Sequence, residues 1–165
     1  MVPTEQFYGR TCNGELAEVK ERKMYKMLIL DDELLHTALN SCVGKGYPDI
    51  EHWYPGIFQI TTCGRMGSWQ PEHGPYGLKL LKEEKWDIIL LDACFDPPDG
   101  AEGHHALREI RKDGHLNEKT YVIGCSNGGW RDTWFNSPKY LQGNSEKPEE
   151  LWRCLAEFLA RQSQT

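Results

Sequence analysis

Three short, continuous apolar runs punctuate this chain, and each ends in a polar group able to do chemistry. Met24 to Leu30 is followed by the acidic pair Asp31-Asp32, Trp86 to Leu91 ends at Asp92, and Tyr121 to Cys125 ends at Ser126. Runs of this length without strict alternation predict strands buried on both faces. Ile57 to Thr62 predicts a further strand, the one convincing element in the aromatic, Gly- and Pro-bearing stretch from Gly44 to Pro75. A last strand is expected between Lys139 and Gln142.

Helical spacing fills the intervals. Leu34, Leu35, Ala38 and Leu39 form a stripe within Glu33 to Val43, Leu78 and Leu81 mark a second helix, and Ala106, Leu107 and Ile110 a third that begins after Gly100. The final helix is the clearest. Pro148 suits its first position, Glu149 and Glu150 favour the positive end, and Leu151, Leu155, Phe158 and Leu159 supply a buried face. After Ser126 the pattern weakens: Asn127-Gly128-Gly129-Trp130 reads as a turn. Strands alternating with helices predict an α/β fold, a parallel sheet covered on both faces and joined by right-handed crossovers. Residues 1–24 read as an N-terminal extension and 25–165 as one domain.

At 165 residues the chain has room for one full core, and its 39% hydrophobic and 27% charged content fits a globular protein. No apolar run approaches the roughly 20 residues needed to span a bilayer, so no membrane contact is expected. The net charge of −6 argues against a nucleic-acid surface, which needs clustered Lys and Arg. Six cysteines without C-x-x-C spacing make a reducing cytoplasm the simplest setting, with Cys63, Cys94 and Cys125 as buried thiols near strand ends, while the even count leaves disulfides open. His104-His105 reads as helix surface, because adjacent helical positions diverge and no third metal ligand is evident. The six tryptophans read as packing residues; an exposed cluster among Trp53, Trp69, Trp130 and Trp134 would mark a partner surface.

In an open parallel sheet, groups at the carboxyl ends of neighbouring strands converge on one crevice. Asp31, Asp32, Asp92, Ser126 and Lys147 would then meet: three carboxylates, a hydroxyl and an ammonium, a set suited to a hard cation and a phosphoryl group. Each alone has a plainer reading. Asp31-Asp32 would cap a helix, Asp92 and Ser126 would sit in turns, and Lys147 would be a solvated lysine. Joint placement at strand ends favours the site.

The constellation resembles the receiver domain of response regulators over roughly Lys26 to the C-terminus. That family has an acidic pair after the first strand, a phosphorylated aspartate after the third, a Ser or Thr after the fourth and Lys-Pro after the fifth. Asp31-Asp32, Asp92, Ser126 and Lys147-Pro148 stand in those places, and Gly100 lies eight residues beyond Asp92, where the family has a glycine. The resemblance implies a flavodoxin-like, doubly wound, five-stranded sheet of order 2-1-3-4-5. It implies Mg²⁺ held by Asp31, Asp32, Asp92 and the Cys94 backbone carbonyl, Asp92 as phospho-acceptor, and Ser126 and Lys147 on the phosphoryl oxygens.

The implied donor is a sensor histidine kinase or phosphotransfer protein. No output domain is expected after the last helix, and the signal is expected to pass to an unknown downstream protein by contact. The chain is not expected to be an enzyme on external substrates. Three departures stand out: Asp96 replaces a usual proline, Asn127 a usual small residue, and Asn144 the aromatic that changes rotamer on activation. They keep a second reading open, a receiver-like interaction module working without phosphorylation. A small Mg²⁺-dependent phosphohydrolase is a third. With Asn144 in place of the ring, the responsive surface is expected in Asn127 to Gln142, including Trp130 and Trp134.

Overall fold

The computed structural model describes residues 23–31, 49–63, 73–93, 102–125, 130, 137–145 and 148–164. Five parallel strands form its sheet: β1 (Tyr25–Leu30), β2 (Phe58–Thr62), β3 (Ile88–Leu91), β4 (Tyr121–Cys125) and β5 (Gly143–Ser145). Their order is β2-β1-β3-β4-β5, as expected. The described helices are α1 (Asp49–Trp53), α2 (His73–Glu83), α3 (Glu102–Ile110) and α4 (Pro148–Gln162). The helix expected over Glu33 to Val43 and the extension over 1–24 lie outside the described residues.

Alternation along each central strand feeds two cores. Leu28 and Leu30 of β1, Ile89 and Leu91 of β3 and Val122 of β4 point to one face, where Leu80 and Leu81 of α2 and Ala106, Leu107 and Ile110 of α3 cover them. Met27, Ile29, Ile88, Leu90, Tyr121, Ile123 and Cys125 point to the other, against Leu151, Leu155 and Phe158 of α4. All four residues of β3 are fully buried, which explains an apolar run with no polar alternation. At ~1.5–3 kcal/mol for each fully buried aliphatic side chain, these rows fix the register. A slip of one residue would exchange the two faces.

Two boundaries differ from expectation. The last strand is Gly143–Ser145 rather than 139–142; residues 137–140 form a turn instead. Gly-Asn-Ser carries no hydrophobic signal, and the pairing begins with Gln142, whose N–H donates to the Val122 carbonyl while its Oε1 accepts from the Val122 N–H. The 44–75 stretch also holds α1, whose Ile50 is wholly buried. Cys63 and Cys125 are buried as expected, and burial pushes the Cys63 thiol up to about 12. Cys94 lies outside the described residues.

The sheet edge at the strand starts is tied by Asn117, 0% exposed. Its Oδ1 accepts from Trp86 N–H at 2.9 Å and from the Thr120 hydroxyl at 3.0 Å, and its Nδ2 donates to the Leu81 and Glu84 carbonyls, both at 2.8 Å. All of its side-chain capacity is used, so truncation strands several buried partners. Asn117→Ala is expected to lower stability by about 2–4 kcal/mol. Urea unfolding followed by circular dichroism measures this, and a loss below about 0.5 kcal/mol would contradict it.

Candidate functional site

Register alone brings the first two predicted carboxylates together. Leu30 pairs with Leu91 across β1 and β3, and the Asp92 N–H donates to the Leu30 carbonyl at 2.8 Å, so Asp31 and Asp92 occupy the next row of the sheet. On the far side, Leu91 pairs with Gly124, Gly124 with Asn144 and Cys125 with Ser145. Asp31, Asp92, Cys125 and Ser145 therefore make one row across the carboxyl edge. Continuing the strand alternation places both carboxylates toward the same side. Asp31 is 5% and Asp92 7% exposed, low values for acidic residues. Both make polar contacts within the fold. Asp32, Cys94, Ser126 and Lys147 lie outside the described residues, as do Asp96, Gly100, Asn127 and Trp134.

The backbone around Asp92 is held from three directions. The Asp92 N–H is bonded into the sheet. The carbonyl of Leu91, one residue earlier, accepts from Trp130 Nε1–H at 3.2 Å. The first turn of α3 closes on the far side, where the Gly103 N–H donates to the Ala93 carbonyl at 3.2 Å. A Cβ at position 103 would run into the Asp92 carbonyl oxygen and the Ala93 backbone, so only glycine permits this approach. The helix begins after Gly100, as expected, and Gly100 itself lies outside the described residues; the close contact at Gly103 was not foreseen. A Gly three residues beyond Gly100, at the start of an amphipathic stripe, was the available signal.

Trp130 lies in the segment expected to be a responsive, aromatic surface, and the structure corrects that expectation for this residue: it is 0% exposed. Its ring lies over Gly124, where a Cβ would come within 2.8 Å of Cδ1 and 3.0 Å of Nε1, and it packs beside Leu141. The His104 ring packs against it tilted by 48°, with ring centroids 4.5 Å apart. His104 is thus half-buried rather than helix surface, and burial, then the neighbouring His105 and Arg108, hold its pKa below the usual histidine value. His105 is exposed, as expected. Asn144, at the position of the family aromatic, is partly buried in β5, and its carbonyl faces the Cys154 thiol at 3.7 Å.

Arg111, just past α3, anchors the other end of that helix. Its guanidinium donates to the carbonyls of Glu118 (2.6 Å), Thr120 (2.9 Å) and Tyr140 (2.7 and 3.0 Å) and to Gln142 Oε1 (2.8 Å). Burial pulls its pKa down to about 10, which leaves it charged at neutral pH. Among the described residues no group of three or more His, Cys, Asp or Glu side chains is placed to hold a metal ion. No helix among them is long and apolar enough to cross a membrane.

No family model matches the chain. Solved structures do. A CheY-like response-regulator receiver domain protein from Methanospirillum hungatei is 18% identical, with a TM-score of 0.56 over 86% of this chain and 98% of that one. The receiver domain of a sensor histidine kinase from Pseudomonas aeruginosa, with a magnesium ion coordinated in its active-site cleft, is 16% identical, with a TM-score of 0.50 over 84% of this chain and 99% of that one. A probable C4-dicarboxylate response regulator of Bacillus subtilis is 29% identical over 91 residues, 55% of this chain. The match spans 32% of that relative's length. Strand order, parallel register and these likenesses agree: the chain has the fold of the response-regulator receiver domains.

Proposed function

We propose that the protein is a phospho-acceptor receiver of a two-component phosphorelay, with Asp92 taking the phosphoryl group. The observation that carries this reading is the pairing of two nearly buried carboxylates, Asp31 and Asp92, in one row at the carboxyl edge of a receiver-type sheet. Like charges this close disfavour each other's ionisation unless a cation offsets them. The donors are oxygen only, which suits Mg²⁺. Asp31, Asp32, Asp92 and the Cys94 carbonyl would hold it, and when bound it supplies charge neutralisation between acceptor and donor.

In the transfer, an Asp92 carboxylate oxygen forms a bond to phosphorus as the phosphorus–nitrogen bond of a phosphohistidine donor breaks. The products are an aspartyl phosphate and an imidazole that leaves with a proton from water. The Ser126 hydroxyl and the Lys147 ammonium would each donate to a phosphoryl oxygen. The backbone contacts around Asp92 keep the nucleophile placed, and positioning with charge neutralisation is most of what phosphoryl transfer requires. The donor is a sensor histidine kinase or phosphotransfer protein in the cytoplasm, and the output is contact with a downstream protein. Asn144 favours the second reading, a receiver-like module that binds its partner without phosphorylation. A phosphohydrolase would instead turn over a small phosphate ester without labelling the chain.

Incubation with acetyl phosphate and Mg²⁺ is expected to add one phosphoryl group by intact mass, and Asp92→Asn to abolish the addition. Unchanged labelling of that variant would sink the assignment. Partner binding by an unlabelled wild-type chain would favour the module.

Asp31→Asn and Asp32→Asn should each weaken Mg²⁺ binding in calorimetric titration by at least about tenfold, with Asp32→Asn the more damaging. Equal affinity in all three proteins would refute the metal assignment.

Gly103→Ala should cost about 1–3 kcal/mol and slow labelling, because the added methyl displaces either α3 or the Asp92 carbonyl. A melting temperature and labelling rate equal to wild type would show that the close approach has no consequence.

A further inference from the structure

A cavity of about 450 Å³ lies between α2 and α3. That volume falls within the range of small-molecule sites. Leu78 and Leu81 of α2 and Ala106 and Ile110 of α3 give it an apolar lining, with Leu81, Ala106 and Ile110 belonging to the buried core. Neither Asp31 nor Asp92 lines it. Since α3 starts against the Asp92 backbone at Gly103, and the cavity draws on its later turns and on His115 beyond its end, the two sites are separate.

The charge around the cavity runs against that of the whole chain. Lys82, His105, Arg108 and His115 all line it, in a protein of net charge −6. Among the described lining residues Glu109 is the one carboxylate, and it is already held by the Lys112 ammonium at 2.6 Å. The His115 tautomer is set by its surroundings. Its Nδ1 accepts the Asn117 N–H at 3.0 Å, so the neutral ring carries its proton on Nε2 and keeps a donor. Three cationic or cation-capable side chains and one fixed donor over an apolar floor match an anion attached to an apolar body.

We propose that this cavity binds a small amphipathic carboxylate, its alkyl or aryl body on Leu78, Leu81, Ala106 and Ile110 and its carboxylate among Lys82, His105, Arg108 and His115. The assignment is independent of the phosphoryl chemistry at Asp92, and its test does not depend on phosphorylation.

Octanoate is the probe, titrated into the full ¹⁵N-labelled chain while amide shifts are followed, with octylammonium as the charge-reversed comparator. Octanoate is expected to saturate shifts over 78–82, 105–110 and 115 with a dissociation constant of order 1 mM. Octylammonium should leave those amides unmoved. The double variant Lys82→Glu, Arg108→Glu changes exposed side chains only, should fold, and should weaken octanoate at least about tenfold. The proposal is overturned by an absence of saturation up to about 20 mM, by equal shifts from octylammonium, or by an unchanged affinity in the folded double variant. Absence of saturation would leave the cavity to a side chain of a protein partner.

Discussion

The register between β1 and β3 is the constraint from which the rest of the site follows. Once Leu30 is opposite Leu91, Asp31 and Asp92 must be neighbours at the edge of the sheet, about 5 Å apart along the pairing direction. Two acidic side chains placed side by side repel each other to the extent that their surroundings leave the charges unscreened. The strands cannot relieve this by sliding, because one step would carry Met27, Ile29, Ile88 and Leu90 to the wrong core. Burial of those rows holds the register. The sheet thus fixes two nearly buried acidic residues at neighbouring places on its carboxyl edge.

The backbone at Asp92 is held from several sides. Asp92 is the junction of three elements: its N–H belongs to the β1 ladder, the preceding carbonyl to Trp130, and its own carbonyl abuts Gly103 of α3. α3 is fixed at its far end by Arg111, whose donors reach the 118–120 segment and the turn before β5. One helix therefore connects the backbone beside Asp92 to the approach of the edge strand. Glycine at one end and a buried, carbonyl-bound cation at the other are both needed for that connection, the first because no Cβ fits, the second because free carbonyls would otherwise be buried.

Most of the fold was legible because its strands are continuous apolar runs, and such runs belong to sheets covered on both faces. Tyr121 to Cys125 could be read for that reason, and its acidic counterparts at Asp31 and Asp92 followed from the strand ends. What could not be read lacks a hydrophobic signature. β5 is Gly-Asn-Ser, held by backbone pairing and by the Gln142 side chain. Trp130 is a packing residue, as expected of the six tryptophans, but its place in a responsive surface fails because its burial depends on the missing side chain at Gly124, a strand position that carries no signal in isolation. His104 reads as helix surface from its neighbours in sequence, yet it is half-buried with its ring 4.5 Å from that of Trp130. Asp32, Cys94, Ser126 and Lys147 lie outside the described residues, while Asp31 and Asp92 stand at neighbouring places on the carboxyl edge of the sheet.

The substitution at Asn144 has a physical consequence when set beside Trp130. A ring that exchanges between buried and exposed positions needs an aromatic side chain at the edge strand and a vacant slot beneath it. Here the strand position is an amide, and Trp130 and Leu141 crowd the space over Gly124, the residue paired with Asn144. The bulky ring has been fixed on the neighbouring strand's approach instead of being left free on β5. Its Nε1–H bond to Leu91 joins it directly to the backbone one residue before the candidate acceptor. A shift of that strand end would be felt at Trp130 through a bond of 3.2 Å, and from there at His104 through ring contact. Among the described residues, Trp130 packs against His104, Leu141 and the strand at Gly124, so a movement of the strand end at Leu91 would press on packed groups.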